Sequence, residues 1–182
     1  MHLTDGVRDL SSIPPGQASG YEIRRADSTD AALIEPLERA LSEHLIAPPI
    51  FLHPHGDWEP RFNAAWLEDK CNGLWLASHD GVAVGFISGH PANPGAEPVS
   101  LRSSDLLSIN GAFRTLEGRR SGLATSLLAH LLTWAADNGY RGCAVDYESA
   151  NIQGAGFWLS SGFTPVLSTL IRRVDSRFSP SR

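Results

Sequence analysis

The sequence predicts a mixed α/β fold in which helices flank one sheet, and three observations carry that reading. Two apolar runs, residues 73–78 and 82–88, are joined by Asp80-Gly81, a dipeptide suited to the positive φ angles of a tight hairpin. Residues 122–138 place Leu123, Leu127, Leu131 and Trp134 on one helical stripe, with Asn138-Gly139 as the stop. A strand at 143–147, a short helix at 151–161 ended by Gly162, and a last strand at 166–174 follow. Hairpins first and a strand–helix–strand unit after them place helices and strands around one sheet.

The remaining elements follow in chain order. Residues 1–20 are polar, lack the basic start and apolar run of a secretory signal, and read as a flexible tail. Residues 21–25 alternate as a short strand. Ser28 is placed to cap a helix beginning near Asp30, whose Leu33, Leu37, Leu41 and Leu45 recur every four residues until Ala47-Pro48-Pro49 stops it. A second helix is expected from Asp57, with Trp58, Phe62 and Trp66 on one face. The Pro-, Gly- and Ser-rich residues 91–104 read as a long loop. Residues 106–113 form a strand in which Asn110-Gly111 marks a bulge or a close backbone approach. Residues 21–182 are thus expected to form a single domain.

Composition narrows the function. A chain of 182 residues with 42% hydrophobic and 19% charged residues can bury a sizeable core. A net charge of −5 and scattered arginines argue against a nucleic-acid partner. No apolar run approaches the ~18 residues of a membrane span. Cys71 and Cys143 do not make a disulfide framework, so a reducing cytoplasm is the expected compartment.

The segment with chemistry in it is Glu117-Gly118-Arg119-Arg120-Ser121-Gly122-Leu123-Ala124, between a strand and the best helix. A helix N-terminus offers unpaired N–H groups and a partial positive charge. Small residues let those groups approach a phosphate, and arginines add charge-assisted bonds. A P-loop is excluded, because it needs a Lys before Ser or Thr and the only lysine is Lys70. The Gly-x-Gly-x-x-Gly spacing of a dinucleotide fold is absent as well.

These residues resemble the GNAT superfamily of N-acetyltransferases. The family signature is Arg or Gln, two residues, Gly, one residue, then Gly or Ala, and Arg119, Gly122 and Ala124 fit it. Asn151, the run Gly154-Ala155-Gly156-Phe157-Trp158 and Gly162-Phe163 match a second family element in order and spacing. The resemblance implies a central, mostly antiparallel sheet splayed between the strands at 106–113 and 143–147, with acetyl-CoA as cosubstrate in the split. The pyrophosphate would take the backbone N–H groups of Arg119, Arg120, Ser121, Gly122, Leu123 and Ala124. Pantetheine would pair with backbone at Ala112, Phe113 and Arg114; Asn151 would hold its amide, Gly154 would give clearance, and Trp158 would cover the thioester.

Two departures bear on catalysis. Many family members carry a Tyr where this chain has Trp158, and an indole N–H donates a hydrogen bond but is no acid at ordinary pH. Asn110 and Gly111 stand where many relatives carry a Glu. Glu148 is the first candidate for the base, with Asp146 and Tyr147 behind it. Substrate contacts are expected from the first two helices and the loop at 91–104, with the run His53-Pro54-His55-Gly56-Asp57-Trp58 and His90 as further candidates, and no metal site is expected. The expected activity is transfer of an acetyl group to a primary amine of a small molecule or peptide, and a homodimer is compatible with it. The alternative is a catalytically silent CoA-binding module, a reading that Trp158 and the absent strand Glu support.

Overall fold

Asp80 and Gly81 sit at φ 48° and 77°, the two left-handed positions that match a tight turn to the twist of its strands. They join β3 (Gly73–His79) to β4 (Val82–Pro91), the first hairpin the sequence predicts. The computed structural model describes residues 2–16, 20–52, 57–92, 103–115 and 121–170. Its elements are β1 (His2–Asp9), β2 (Glu22–Arg25), α1 (Ala31–Ile46), α2 (Ala64–Glu68), β3, β4, β5 (Leu106–Arg114), α3 (Leu123–Asp137), β6 (Gly142–Glu148), α4 (Ile152–Ser160) and β7 (Thr164–Leu170).

The strands form one sheet in the order β2-β3-β4-β5-β6-β1-β7. Every pairing is antiparallel except β5 with β6. The fold is therefore the mixed, mostly antiparallel sheet with flanking helices that the sequence implies.

Two apolar layers fix the helices on opposite faces. Under α3, Leu123, Leu127, Leu128 and Leu131 pack on Ile87, Leu107, Ile109, Cys143 and Val145. On the other face Ile34 and Leu37 of α1 meet Leu74, Leu76, Phe86 and Phe62. Each such side chain, fully buried, contributes about 1.5–3 kcal/mol relative to exposure.

Three sequence expectations are corrected. His2–Asp9, placed in a polar tail, is β1, inserted between β6 and β7 with Leu3 opposite Glu148 and Val7 opposite Thr164. Its approach to β6 leaves no room for a Cβ on Gly142, which would lie 2.9 Å from the Arg8 carbonyl oxygen. The cap of the first helical segment is Asp27 and not Ser28. Asp27 is still extended, its carboxylate accepts from the Thr29 N–H at 2.9 Å, and Asp30 accepts from the Asp27 N–H at 2.9 Å in return. Finally, residues 57–63 are not helical. Pro60 disfavours helical backbone at Glu59, and α2 begins only after Asn63, whose Oδ1 accepts from the Trp66 N–H at 3.0 Å.

Candidate active site

The site originates in a register change on β5. Ser88 pairs with Gly111 and Gly89 with Ile109, so Asn110 is an extra residue in the strand. This is the bulge that Gly111 announces in the sequence. On its other side β5 pairs with β6 only from Leu106–Gly142 to Ile109–Val145. Past that pair β5 continues to Arg114 and β6 to Glu148, and the sheet opens between them.

A cavity of about 350 Å3 lies where β5 has parted from β6, between β5 and the α4 region. Ala112, Phe113, Arg114 and Thr115 form one wall, with Phe86 and Ile87 behind them. Asn151, Gln153, Gly154, Phe157 and Trp158 of the α4 region form the second. Ala124 and Leu127 of α3 and Ala40, Leu41 and His44 of α1 complete the lining.

The N-terminus of α3 opens onto this cavity through Ala124. Gly122 precedes it at φ 76°, a left-handed position that costs glycine nothing. Ser121 Oγ accepts from the Leu123 N–H at 3.3 Å, while the Leu123 side chain is fully buried in the core. The Leu123 side chain therefore does not reach the site, and its N–H is engaged by Ser121 Oγ. Arg119, Arg120 and the start of the turn lie outside the described residues, as do His53 and His55.

Asn151 caps α4, its Oδ1 accepting from the Gly154 N–H at 3.1 Å. A Cβ on Gly154 would lie 2.8 Å from Asn151 Nδ2. The clearance expected of Gly154 is therefore first of all clearance for the Asn151 amide. Trp158 is 7% exposed and packs edge-on against Phe157 and Phe163, with centroids 4.9 and 5.3 Å away. It is a packed wall of the cleft.

The three candidate bases separate by face. Tyr147 belongs to the core under α3, and burial raises its phenol pKa above the ordinary value. Its neighbours Asp146 and Glu148 take the opposite face by strand alternation, the face of α1. Asp146 is exposed, whereas Glu148 is 7% exposed. Burial raises the Glu148 carboxyl above the usual range, and the nearby Asp146 charge adds to the effect. Glu148 is absent from the cavity lining itself.

His90 sits at the end of β4 with Nδ1 2.8 Å from the Pro91 carbonyl oxygen. Both cysteines are free; Cys71 is exposed and the Cys143 thiol is buried, its pKa pushed up to about 12. Among the described residues no three His, Cys, Asp or Glu side chains gather around a common point, and no helix is long and apolar enough to cross a membrane.

The first helix does line the cleft, as expected of a substrate wall, but sequence reasoning singled out neither Ala40, Leu41 and His44 nor Gln153. Leu41 stands in the four-residue repeat of α1, but that repeat does not say which turn of the helix faces the split. Gln153 lies inside the segment Asn151 to Gly154 that the motif singles out.

A bulged strand parting from a parallel neighbour, beside the N-terminus of a helix, leaves a cleft with backbone N–H groups at one end, where an anion is favoured. The family model of the acetyltransferase (GNAT) family matches residues 38–163, well over half of the chain. The chain belongs to that family; it is an N-acetyltransferase with acetyl-CoA as cosubstrate.

Solved structures agree on the fold. An aminoglycoside N-acetyltransferase in complex with CoA superposes at TM-score 0.64 and 20% identity, covering 85% of this chain and 99% of that one. Ribosomal-protein-alanine N-acetyltransferase from Brucella melitensis biovar Abortus gives 0.62 and 18%, covering 86% and 100%. A GNAT-family acetyltransferase structure from Novosphingobium aromaticivorans gives 0.63 and 17%; it covers 92% of this chain, which spans 60% of that longer one. No curated protein matches the chain by sequence.

Proposed function

We propose that the chain transfers the acetyl group of acetyl-CoA to a primary amine of a small molecule or peptide, by direct attack in a ternary complex. The observation that carries this is the cavity between β5 and the α4 region, with Ala112 to Thr115 on one wall, Asn151 on the other and Ala124 of the first turn of α3 in its lining. Pantetheine lies along Ala112 to Arg114, its amide on Asn151, and the pyrophosphate meets the N–H groups from Arg119 to Ala124.

In the transfer the amine nitrogen bonds to the thioester carbon, the carbon–sulfur bond breaks, and the sulfur leaves with the electron pair. The amine's surplus proton passes to Glu148, directly or through water. Glu148 suits this task because its raised pKa brings it closer to that of the proton donor. A thiol of pKa ~8.5 leaves as thiolate or takes a proton from water, so no side-chain acid is required where Trp158 stands.

A covalent acetyl-cysteine route has little support. The Cys143 thiol is buried and held protonated, and Cys71 is not part of the cleft. The acceptor class rests on the neighbours: one is an aminoglycoside N-acetyltransferase and another acetylates a ribosomal-protein alanine.

Calorimetry with acetyl-CoA, followed by CoA release against a panel of small-molecule and peptide amines, tests the reading. Binding together with amine-dependent release is expected. Binding without release under any amine would favour the CoA-binding module.

A further inference from the structure

The buried carboxylate of Glu38 on α1 has one partner residue among the described residues, and that partner reaches onward to the bulge. Glu38 is 3% exposed at its side chain. Its two oxygens accept from the Arg61 backbone N–H at 3.1 and 3.0 Å, and one also accepts from Arg61 Nε at 2.8 Å. Arg61 Nη1 then donates to the carbonyl oxygen of Asn110 at 3.0 Å. Asn110 is held a second time, by Ser88 Oγ donating to its Oδ1 at 2.9 Å.

The carbonyl of Asn110 and the N–H of Gly111 belong to one peptide. In a trans peptide they point in opposite directions, and the cis bond recorded among the described residues is Pro48-Pro49. Whatever fixes the Asn110 carbonyl therefore also aims the Gly111 N–H. Gly111 cannot hold that orientation through a side chain of its own. A Cβ there would lie 2.9 Å from Ser88 Oγ and 3.0 Å from the Phe86 ring, so the position has to be glycine, the residue with the freest backbone.

We propose that Arg61, anchored by Glu38, is a positioning residue for acetyl transfer. It fixes the Asn110–Gly111 peptide at the point where β5 leaves β6, beside Phe86 and Ala112 of the cleft, and so aligns the acyl end with its acceptor. The proposal rests on the reading of this cleft as the acetyl-CoA site. A purely stabilising ion pair would need only Glu38 and Arg61; the reach to a strand carbonyl 49 positions away is the added feature. The guanidinium suits the task because its planar fork presents donors to a carboxylate and a carbonyl together, which an ammonium point charge cannot do at fixed angles.

The test compares wild type with Arg61→Lys, which keeps a charge facing Glu38, and with the double variant Glu38→Gln/Arg61→Met, which strands no buried charge. Each is assayed for CoA release with one working amine, for acetyl-CoA affinity by calorimetry, and for melting temperature. Folded variants should bind acetyl-CoA as wild type does while kcat falls about ten- to a hundredfold, the scale a small misplacement costs. Should the double variant not fold, Arg61→Lys decides alone. Wild-type kcat in a folded variant would overturn the proposal, as would kcat and affinity falling together in step with the melting temperature. If wild type itself bound no acetyl-CoA, the reading of the cleft would fall first and the positioning role with it.

Discussion

Asn151 and Gly154 are fitted to each other: the Asn151 Oδ1 accepts from the Gly154 N–H at 3.1 Å, and a Cβ on Gly154 would lie 2.8 Å from Asn151 Nδ2. The cap and the glycine form one unit at the edge of the cleft. Gly154→Ala therefore brings two opposing effects. Alanine in a helix is favoured over glycine by up to about 1 kcal/mol, while a displaced Asn cap costs about the same. Stability should stay within about 1 kcal/mol of wild type on that balance. Acetyl-CoA affinity should fall if Asn151 holds pantetheine as proposed, because its amide is pushed from that position. Unchanged affinity by calorimetry would remove Asn151 from the binding site.

Gly122 is the second glycine with a defined task. At φ 76° a side chain is strained, so Gly122→Ala should cost about 1–2 kcal/mol of stability. Gly122→Asn should cost less, because Asn tolerates the left-handed region. Gly122→Glu adds a carboxylate at the proposed pyrophosphate site and should abolish CoA binding. Denaturant melts of all three variants, with calorimetry on those that fold, separate the backbone effect from the electrostatic one. Equal CoA affinity in the folded Asn and Glu variants would move the anion site elsewhere.

Much of this was legible in the sequence where the signal is local. Asp80-Gly81 gave the hairpin, Gly111 the bulge, and the spacing of Leu123, Leu127 and Leu131 the helix under the cleft. What escaped depends on partners distant along the chain. His2–Asp9 has no apolar alternation, and its strand character comes from edges supplied by β6 and β7, some 140 residues later by the register that pairs Leu3 with Glu148. Phe62 and Trp66 do pack together, at a centroid distance of 4.8 Å, but from a turn and a short helix in place of one long helix. Glu38 and Arg61 look like ordinary surface charges until the fold brings them together 23 positions apart.

Glu148 makes a prediction with a sign. A carboxyl whose pKa is raised on folding keeps its proton longer in the native state than in the unfolded one. The folded state is favoured below the unfolded pKa, and that advantage is lost as pH rises through the window between the two values. Glu148→Gln should therefore be more stable than wild type above this window and should lose the corresponding slope of stability against pH. If Glu148 is the base, the same variant should be slower, and the wild-type rate should level off above the raised carboxyl pKa and not at the ordinary one. Melting temperatures and kcat/KM across pH 4 to 8 check both halves; a variant that is slower and also less stable at neutral pH would contradict the burial argument.

Trp158 decides whether this enzyme needs a side-chain acid. Its indole stands where the family resemblance expects a phenol, 7% exposed and braced by Phe157 and Phe163. That packing gives it a role independent of proton transfer, as the wall that closes the cleft beside α4. Trp158→Ala should cost about 3–5 kcal/mol of stability through the cavity it leaves, and in the enzyme that remains folded it should raise the KM for acetyl-CoA more than it lowers kcat. Trp158→Tyr keeps most of the aromatic contact and supplies a hydroxyl. If departure of the thiolate needs no acid, turnover in this variant stays within about tenfold of wild type, or ~1.4 kcal/mol of barrier. Both variants should be followed across pH with one working amine, because a newly useful phenol would steepen the loss of activity as pH approaches its pKa of about 10. A gain well above tenfold in Trp158→Tyr would mean that thiolate departure limits the native enzyme and that the tryptophan holds the site below the rate its geometry allows.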